Sequence, residues 1–229
     1  MGIFNLIKKI LPRQKKWILS RLNRIGIKNA IRKDDVFLVS YPRSGSTWLS
    51  FMLACLIYPK EKGKITLKNL RDYIPDINYL YLGAKRGSIE KIIPSDLEKP
   101  RIIFVHALYN SLFPKVIYLV RDPRDVIVSF WHLKKNLNLL HNTSLKKFIR
   151  KKKTWSSNWD EHVESWLINK HENIKPVSYE DLIKNPEKVL KNISVFAGIK
   201  ATKKQIKEAI SLTSFQRMRK LEKNMAYTG

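Results

Sequence analysis

The sequence predicts an α/β fold, a single P-loop-like domain with a central parallel sheet of about four or five strands flanked by helices. Three observations carry this. Short apolar, β-branched runs recur at 36–41, 101–105, 115–120 and 174–179, each of a length that suits a buried strand. Segments of helical period lie between and after them, the alternation that a parallel sheet requires. The first run passes through Pro42-Arg43-Ser44-Gly45-Ser46-Thr47 straight into the apolar segment 48–58, which makes a strand, a tight loop and a helix without a gap.

Composition bounds the rest. A chain of 229 residues that is 44% hydrophobic is long enough for one domain with its own core. The single cysteine, Cys55, excludes an internal disulfide and is read as a core thiol within the apolar helix. No apolar run reaches the ~18–20 residues needed to span a bilayer, and the Met1 end carries no signal-peptide core. A reducing, cytoplasmic setting is therefore expected. The net charge of +26, from 45 basic and 19 acidic residues, attracts polyanions in general. The basic residues are scattered, without a zinc-finger or RNA-recognition signature, so no specific nucleic-acid partner is expected. No pair among the five histidines has a metal-like spacing with an acidic or Cys partner, so no metal is predicted.

Residues 1–33 form a basic, amphipathic leader ahead of a domain at 34–229. Ile3, Phe4, Ile7, Ile10 and Leu11 fall at helical spacing, Pro12 breaks the pattern, and Trp17, Ile18, Leu19, Leu22 and Ile25 begin a second apolar set. Such a helix suits either the surface of an anionic membrane or packing on the domain. Residues 59–100 are loop-rich, and Tyr73, Tyr79 and Tyr81 cluster there beside Arg71, Lys85 and Arg86, side chains that suit an acceptor pocket or ordinary packing. Residues 134–157 read as a mobile Lys/Asn-rich connection. The face formed by Trp159, His162, Val163 and Trp166 reads as core packing. Helices are expected at 186–197, stopped by Gly198, and at 203–212 and 215–223.

The chemistry concentrates at the carboxyl ends of the strands. A helix opening after Gly45 leaves amides without intrahelical partners, and its dipole adds positive potential. Gly45 lets the backbone approach an anion, Ser46 and Thr47 offer hydroxyls, and Arg43 a fixed charge. The segment thus reads as a phosphate cradle, although its spacing is not that of nucleoside-triphosphatase loops. His106 follows the second run and is delivered to the same sheet edge. After the third run, Asp122 as N-cap and Pro123 at the first position mark a helix start. Arg121 lies at that strand end and Ser129 two turns along the helix.

The tract Tyr41-Pro42-Arg43-Ser44-Gly45-Ser46-Thr47-Trp48 resembles the 5′-phosphosulfate loop of sulfotransferases that use PAPS (3′-phosphoadenosine 5′-phosphosulfate). The tract from Tyr118 to Phe130, YLVRDPRDVIVSF, is similar to the family's second signature, which holds the 3′-phosphate. Tyr179-Glu180-Asp181-Leu182 with Asn185-Pro186, and Thr213-Ser214-Phe215 with Met218, also resemble the family. The likeness covers about residues 35–225. It implies transfer of a sulfuryl group from PAPS to a hydroxyl or amine of a small-molecule, carbohydrate or lipid acceptor, leaving PAP (3′,5′-adenosine bisphosphate), with no obligatory metal. It implies His106 as general base and Arg43 as charge stabiliser. It implies nucleotide contacts from Arg43, Ser44, Gly45, Ser46, Thr47, Trp48, Arg121, Ser129, Tyr179, Thr213 and Phe215. Three positions depart from the pattern: Arg43 replaces the usual Lys, Phe104 stands where many relatives carry a second Lys, and the family's Arg-Lys-Gly-x-x-Gly-x-Trp-like loop is not present through Gly229. A P-loop kinase, and a non-catalytic polyanion or membrane binder on the same fold, are the alternatives.

Overall fold

The structure, a computed structural model, describes residues 30–78, 93–98, 100–140, 143–150, 157–168 and 172–226. Most of the leader, the aromatic and basic residues Tyr79, Tyr81, Lys85 and Arg86, and Lys151 to Lys153 lie outside the described residues, as do the side chains of Phe215 and of 222–226. The elements in chain order are β1 (Val36–Ser40), α1 (Ser46–Ile57), α2 (Leu70–Tyr73), β2 (Ile102–Val105), β3 (Lys115–Val120), α3 (Pro123–Asn136), α4 (Leu145–Ile149), α5 (Trp159–Leu167), β4 (Ile174–Ser178), α6 (Tyr179–Lys184), α7 (Pro186–Ala197), α8 (Lys203–Leu212) and α9 (Phe215–Ala226).

The four strands form one parallel sheet in the order β2-β1-β3-β4. Both faces are covered, which is why the strands read as continuous apolar runs. Val36, Leu38, Ile102, Phe104, Ile117 and Leu119 point into one core with α1, α7 and α8. The alternate residues Phe37, Val39, Ile103, Val105, Val116 and Tyr118 point into the other, which α5 closes with Trp166. The period of two along each strand therefore divides the core into its two layers.

Local signals set the helix ends. Asp122 accepts the amide of Arg124 at 2.8 Å and Pro123 opens α3. Asn158 and Glu161 form a capping box on α5, and Thr202 and Gln205 form one on α8. Gly198 ends α7 at φ 76°, a left-handed conformation that glycine adopts without steric cost.

Four expectations need correction. β1 stops at Ser40 and α1 opens at Ser46, so the connecting loop is shorter than the sequence implied. Arg101 precedes β2, and its buried guanidinium pairs with Asp35 through Nε at 2.8 Å and Nη2 at 2.7 Å. Tyr179 is not the last strand residue but the first of α6. The stretch from 134 is not a plain connection: α3 continues to Asn136, and α4 plants Phe148 in a satellite core with Phe130 and Leu140. Its Lys/Asn-rich composition hid this, because a single buried aromatic per turn gives too little periodicity to register.

Candidate active site

The cradle is built by β1 and α1. Gly45 caps α1 at φ 92°, ψ 15°, with no side chain capping the helix. The first intrahelical bond runs from Leu49 N–H to the Gly45 carbonyl, so the amides of Ser46, Thr47 and Trp48 precede the helical ladder and carry the positive end of its dipole. Arg43 also adopts a positive φ of 74°. Two left-handed residues in a five-residue loop curl the backbone so tightly that a side chain at 45 has no room. A Cβ there would lie 2.4 Å from Cε2 of Tyr179. Ser44 and Ser46 are buried, Arg43 and Thr47 exposed, and the hydroxyl of Ser44 has no protein partner.

His106 follows β2 immediately, and the β1–β2 register puts Val39 beside Val105. Its Nδ1 is 2.6 Å from the Ser40 carbonyl oxygen. A carbonyl only accepts, so Nδ1 carries the proton and the basic lone pair of the neutral ring is on Nε2. The Asn78 side-chain oxygen accepts the His106 backbone N–H at 2.8 Å. Asn78 in turn donates its own backbone and side-chain N–H groups to Asp76. Asp76 pairs with Arg71 at 3.6 Å, and the Arg71 guanidinium lies 4.5 Å from the ring centre of Phe104, itself edge-on to His106. Burial lowers His106 to about 4, against the opposing pull of the Ser40 carbonyl and Asp76.

The second motif meets the first directly. Arg43 Nε donates to Ser129 Oγ at 3.1 Å, and Arg121 Nη1 to the Arg43 carbonyl at 3.4 Å. The β3–β4 register sets Val120 beside Ser178, which brings Tyr179 under Arg121 with the guanidinium 4.3 Å from the ring centre. Arg121 also pairs with Asp125 at 3.3 Å, while its Nε is buried without a hydrogen-bond partner. Arg43, Gly45, Arg121, Ser129 and Tyr179 are therefore one contiguous group drawn from three strand ends. Two guanidiniums, orphaned donors and a helix N-terminus are the donor set that a phosphorylated or sulfonated ligand requires.

A profile of the sulfotransferase domain matches residues 33–228. The chain belongs to the sulfotransferase domain family. Mouse sulfotransferase 2A1 is 32% identical over 90% of the chain and 73% of its own length. Mouse sulfotransferase 6B1 is 30% identical, but there the chain spans 63% of the relative's length. Among solved structures, mouse sulfotransferase SULT7A1 complexed with PAP is 29% identical, with a TM-score of 0.62 over 82% of this chain and 67% of that one. Retinol dehydratase in complex with androsterone and PAP superposes with a TM-score of 0.70 over 90% of this chain and 71% of that one at 24% identity, a likeness of fold.

Trp48 stands edge-on to Tyr179, and its indole N–H donates to the Thr213 carbonyl at 2.7 Å. Thr213 is buried, with its hydroxyl on the Ala209 carbonyl at 2.8 Å; it braces Trp48 through its backbone. Phe215 opens α9, and its side chain lies outside the described residues. Sequence reasoning missed Ser40, Asp76 and Asn78. The Pro75-Asp76-Ile77-Asn78 turn gave no sign of Asp76 and Asn78, because it acquires meaning only by pairing with β2 at Phe104, and Ser40 acts through its backbone carbonyl, which no residue type reveals. Among the described residues no helix is long and apolar enough to cross a membrane, and no group of three His, Cys, Asp or Glu side chains stands close enough to share a metal ion.

Proposed function

We propose that this sulfotransferase takes PAPS as donor and moves its sulfuryl group to a hydroxyl or amine of a small-molecule, carbohydrate or lipid acceptor. One observation carries the reading: the carbonyl that fixes the His106 tautomer belongs to Ser40, the last strand residue before the anion cradle. A base and an anion site thereby share one piece of backbone. His106 Nε2 takes the acceptor proton as the acceptor atom bonds to sulfur. The bond from sulfur to the bridging oxygen breaks, and PAP leaves carrying that oxygen. The amides of the cradle, with Ser46, Thr47 and Arg43, meet the charge that builds there as preorganised donors.

Arg121, Ser129 and Arg43 would hold the 3′-phosphate side of the nucleotide, and Trp48 with Tyr179 would border the base. Support for PAP as ligand comes from mouse sulfotransferase SULT7A1, crystallised with it. Relatives named for a 3α-hydroxysteroid and for amines support hydroxyl and amine acceptors as classes.

The deciding experiment is a thermal shift with PAP against ATP, followed by turnover of PAPS over a panel of acceptors. A rise in Tm with PAP alone, and transfer that disappears in His106→Ala while the PAP shift persists, is the expected result. Transfer undiminished in His106→Ala would remove the base, and a shift with ATP alone would remove the donor.

A further inference from the structure

We propose that the carboxyl-terminal half of α3, the turn through Leu140 and α4 form a docking face for an anionic lipid bilayer. The first observation is charge. Between Asp125 and Asp160 the sequence holds eight Lys or Arg and no Asp or Glu, and residues 1–33 are the one other acid-free stretch of similar length. Lys135, Lys146, Lys147 and Arg150 are exposed.

The second observation is apolar exposure in the same place. Among the described residues seven large apolar side chains are exposed, and three of them, Leu137 and Leu139 in the turn after α3 and Ile149 at the end of α4, lie on this face. Leu137, Leu139 and Ile149 are 57%, 61% and 54% exposed. The fold explains how. Asn138 at φ 54° ends α3 with a left-handed turn, closed by the amide of Leu139 on the Lys134 carbonyl at 2.9 Å. That turn sends Leu140 down into the satellite core with Phe130 and Phe148, while its neighbour Leu139 stays in solvent. On α4, Phe148 is fully buried and Ile149 beside it is not. A small core thus carries aliphatic side chains on its outside and cations around them.

Charge complementarity selects the occupant. An anionic bilayer rewards both features at once: lysines meet the negative headgroups and aliphatic chains enter the acyl boundary. A single-stranded nucleic acid gains from the lysines but uses aromatic platforms rather than leucines. Leu137 lies eight residues beyond Ser129, about 12 Å along the helix at ~1.5 Å per residue. Docking through this face therefore keeps the group around Arg43 and Ser129 close to the bilayer. The inference does not rest on the donor or base assigned above.

The test is sedimentation of the full chain with vesicles of phosphatidylcholine alone and of phosphatidylcholine mixed with phosphatidylserine. Binding to the mixed vesicles only, falling with salt, is expected. Lys146→Glu with Lys147→Glu should weaken it by at least about fivefold per cation removed. Leu137→Ser with Leu139→Ser, or Ile149→Ser alone, should weaken it roughly tenfold or more, with thermal unfolding by circular dichroism unchanged. Leucine and isoleucine variants that sediment like the wild type would overturn the proposal and leave charge alone, or residues 1–33, as the contact. Wild-type protein that ignores mixed vesicles, or that prefers single-stranded RNA held equally by the leucine variant, would overturn it too.

Discussion

The Ser40 carbonyl oxygen lies 2.6 Å from Nδ1 of His106, and this bond settles which ring nitrogen carries the proton. It joins the end of β1 to the residue after β2, so the tautomer is a property of strand pairing rather than of the histidine alone. Burial lowers His106 from 6.5 to about 4. As the proposed base, His106 must be deprotonated to act, so its limb of the rate profile should rise with pH through about 4. Measured from roughly pH 5 to 8, turnover should show no inflection near 6.5 from this group. A clear inflection there would mean that the ring is solvated during turnover.

Asp76, Arg71 and Asn78 tune and seat that histidine. Asp76 raises its pKa and Arg71 lowers it. Arg71→Met should therefore move the limb upward and Asp76→Asn move it downward, with KM for the nucleotide unchanged in both. Asn78→Ala removes the acceptor for the His106 amide and should lower kcat about tenfold. Profiles that coincide with the wild type would show that the cluster merely supports the fold.

Gly45→Ala should abolish nucleotide binding and destabilise the domain. A left-handed backbone costs an L-residue roughly 1–2 kcal/mol, and the new methyl meets Tyr179 at 2.4 Å. If that contact dominates, the double variant Gly45→Ala, Tyr179→Ala should recover part of the lost Tm. No recovery would assign the loss to the backbone alone.

Asp35 and Arg101 form a buried pair, with the guanidinium also on the Ala30 and Pro94 carbonyls. Removing one partner strands the other charge, so Asp35→Asn or Arg101→Met should cost ~3–5 kcal/mol in chemical denaturation. Replacing both by apolar residues should cost less than either single change.

Stability should fall with acid. Burial holds His162, 2.8 Å from the Tyr118 hydroxyl, down to about 3. Its folded pKa lies below the unfolded value of 6.5, so between those two values the unfolded chain binds the extra proton. Its contribution is complete above 6.5 and is lost as pH falls towards 3, at up to about 1.4 kcal/mol per pH unit per group. His106 adds a like slope down to about 4. Urea denaturation across this range should show a shallower dependence in His162→Gln; an unchanged slope would place the proton uptake elsewhere.

The sequence by itself determined the four strands, the start of α3, both ends of α7 and α8, and the two anion motifs. These are written in short-range chemistry: β-branched runs, an Asp-Pro cap, a helix-stopping glycine, a turn whose glycine must be left-handed. Tertiary structure alone decided that Tyr179 closes over Gly45, that Arg43 reaches Ser129 and that Asn78 holds His106. It also decided that Phe148 anchors a basic stretch which reads, locally, as a solvated connection. Each of these contacts joins residues 18 to 134 positions apart, through register between strands or packing of helices on the sheet. No local pattern encodes such a partner, because the free energy that selects it comes from burial and pairing across the whole domain.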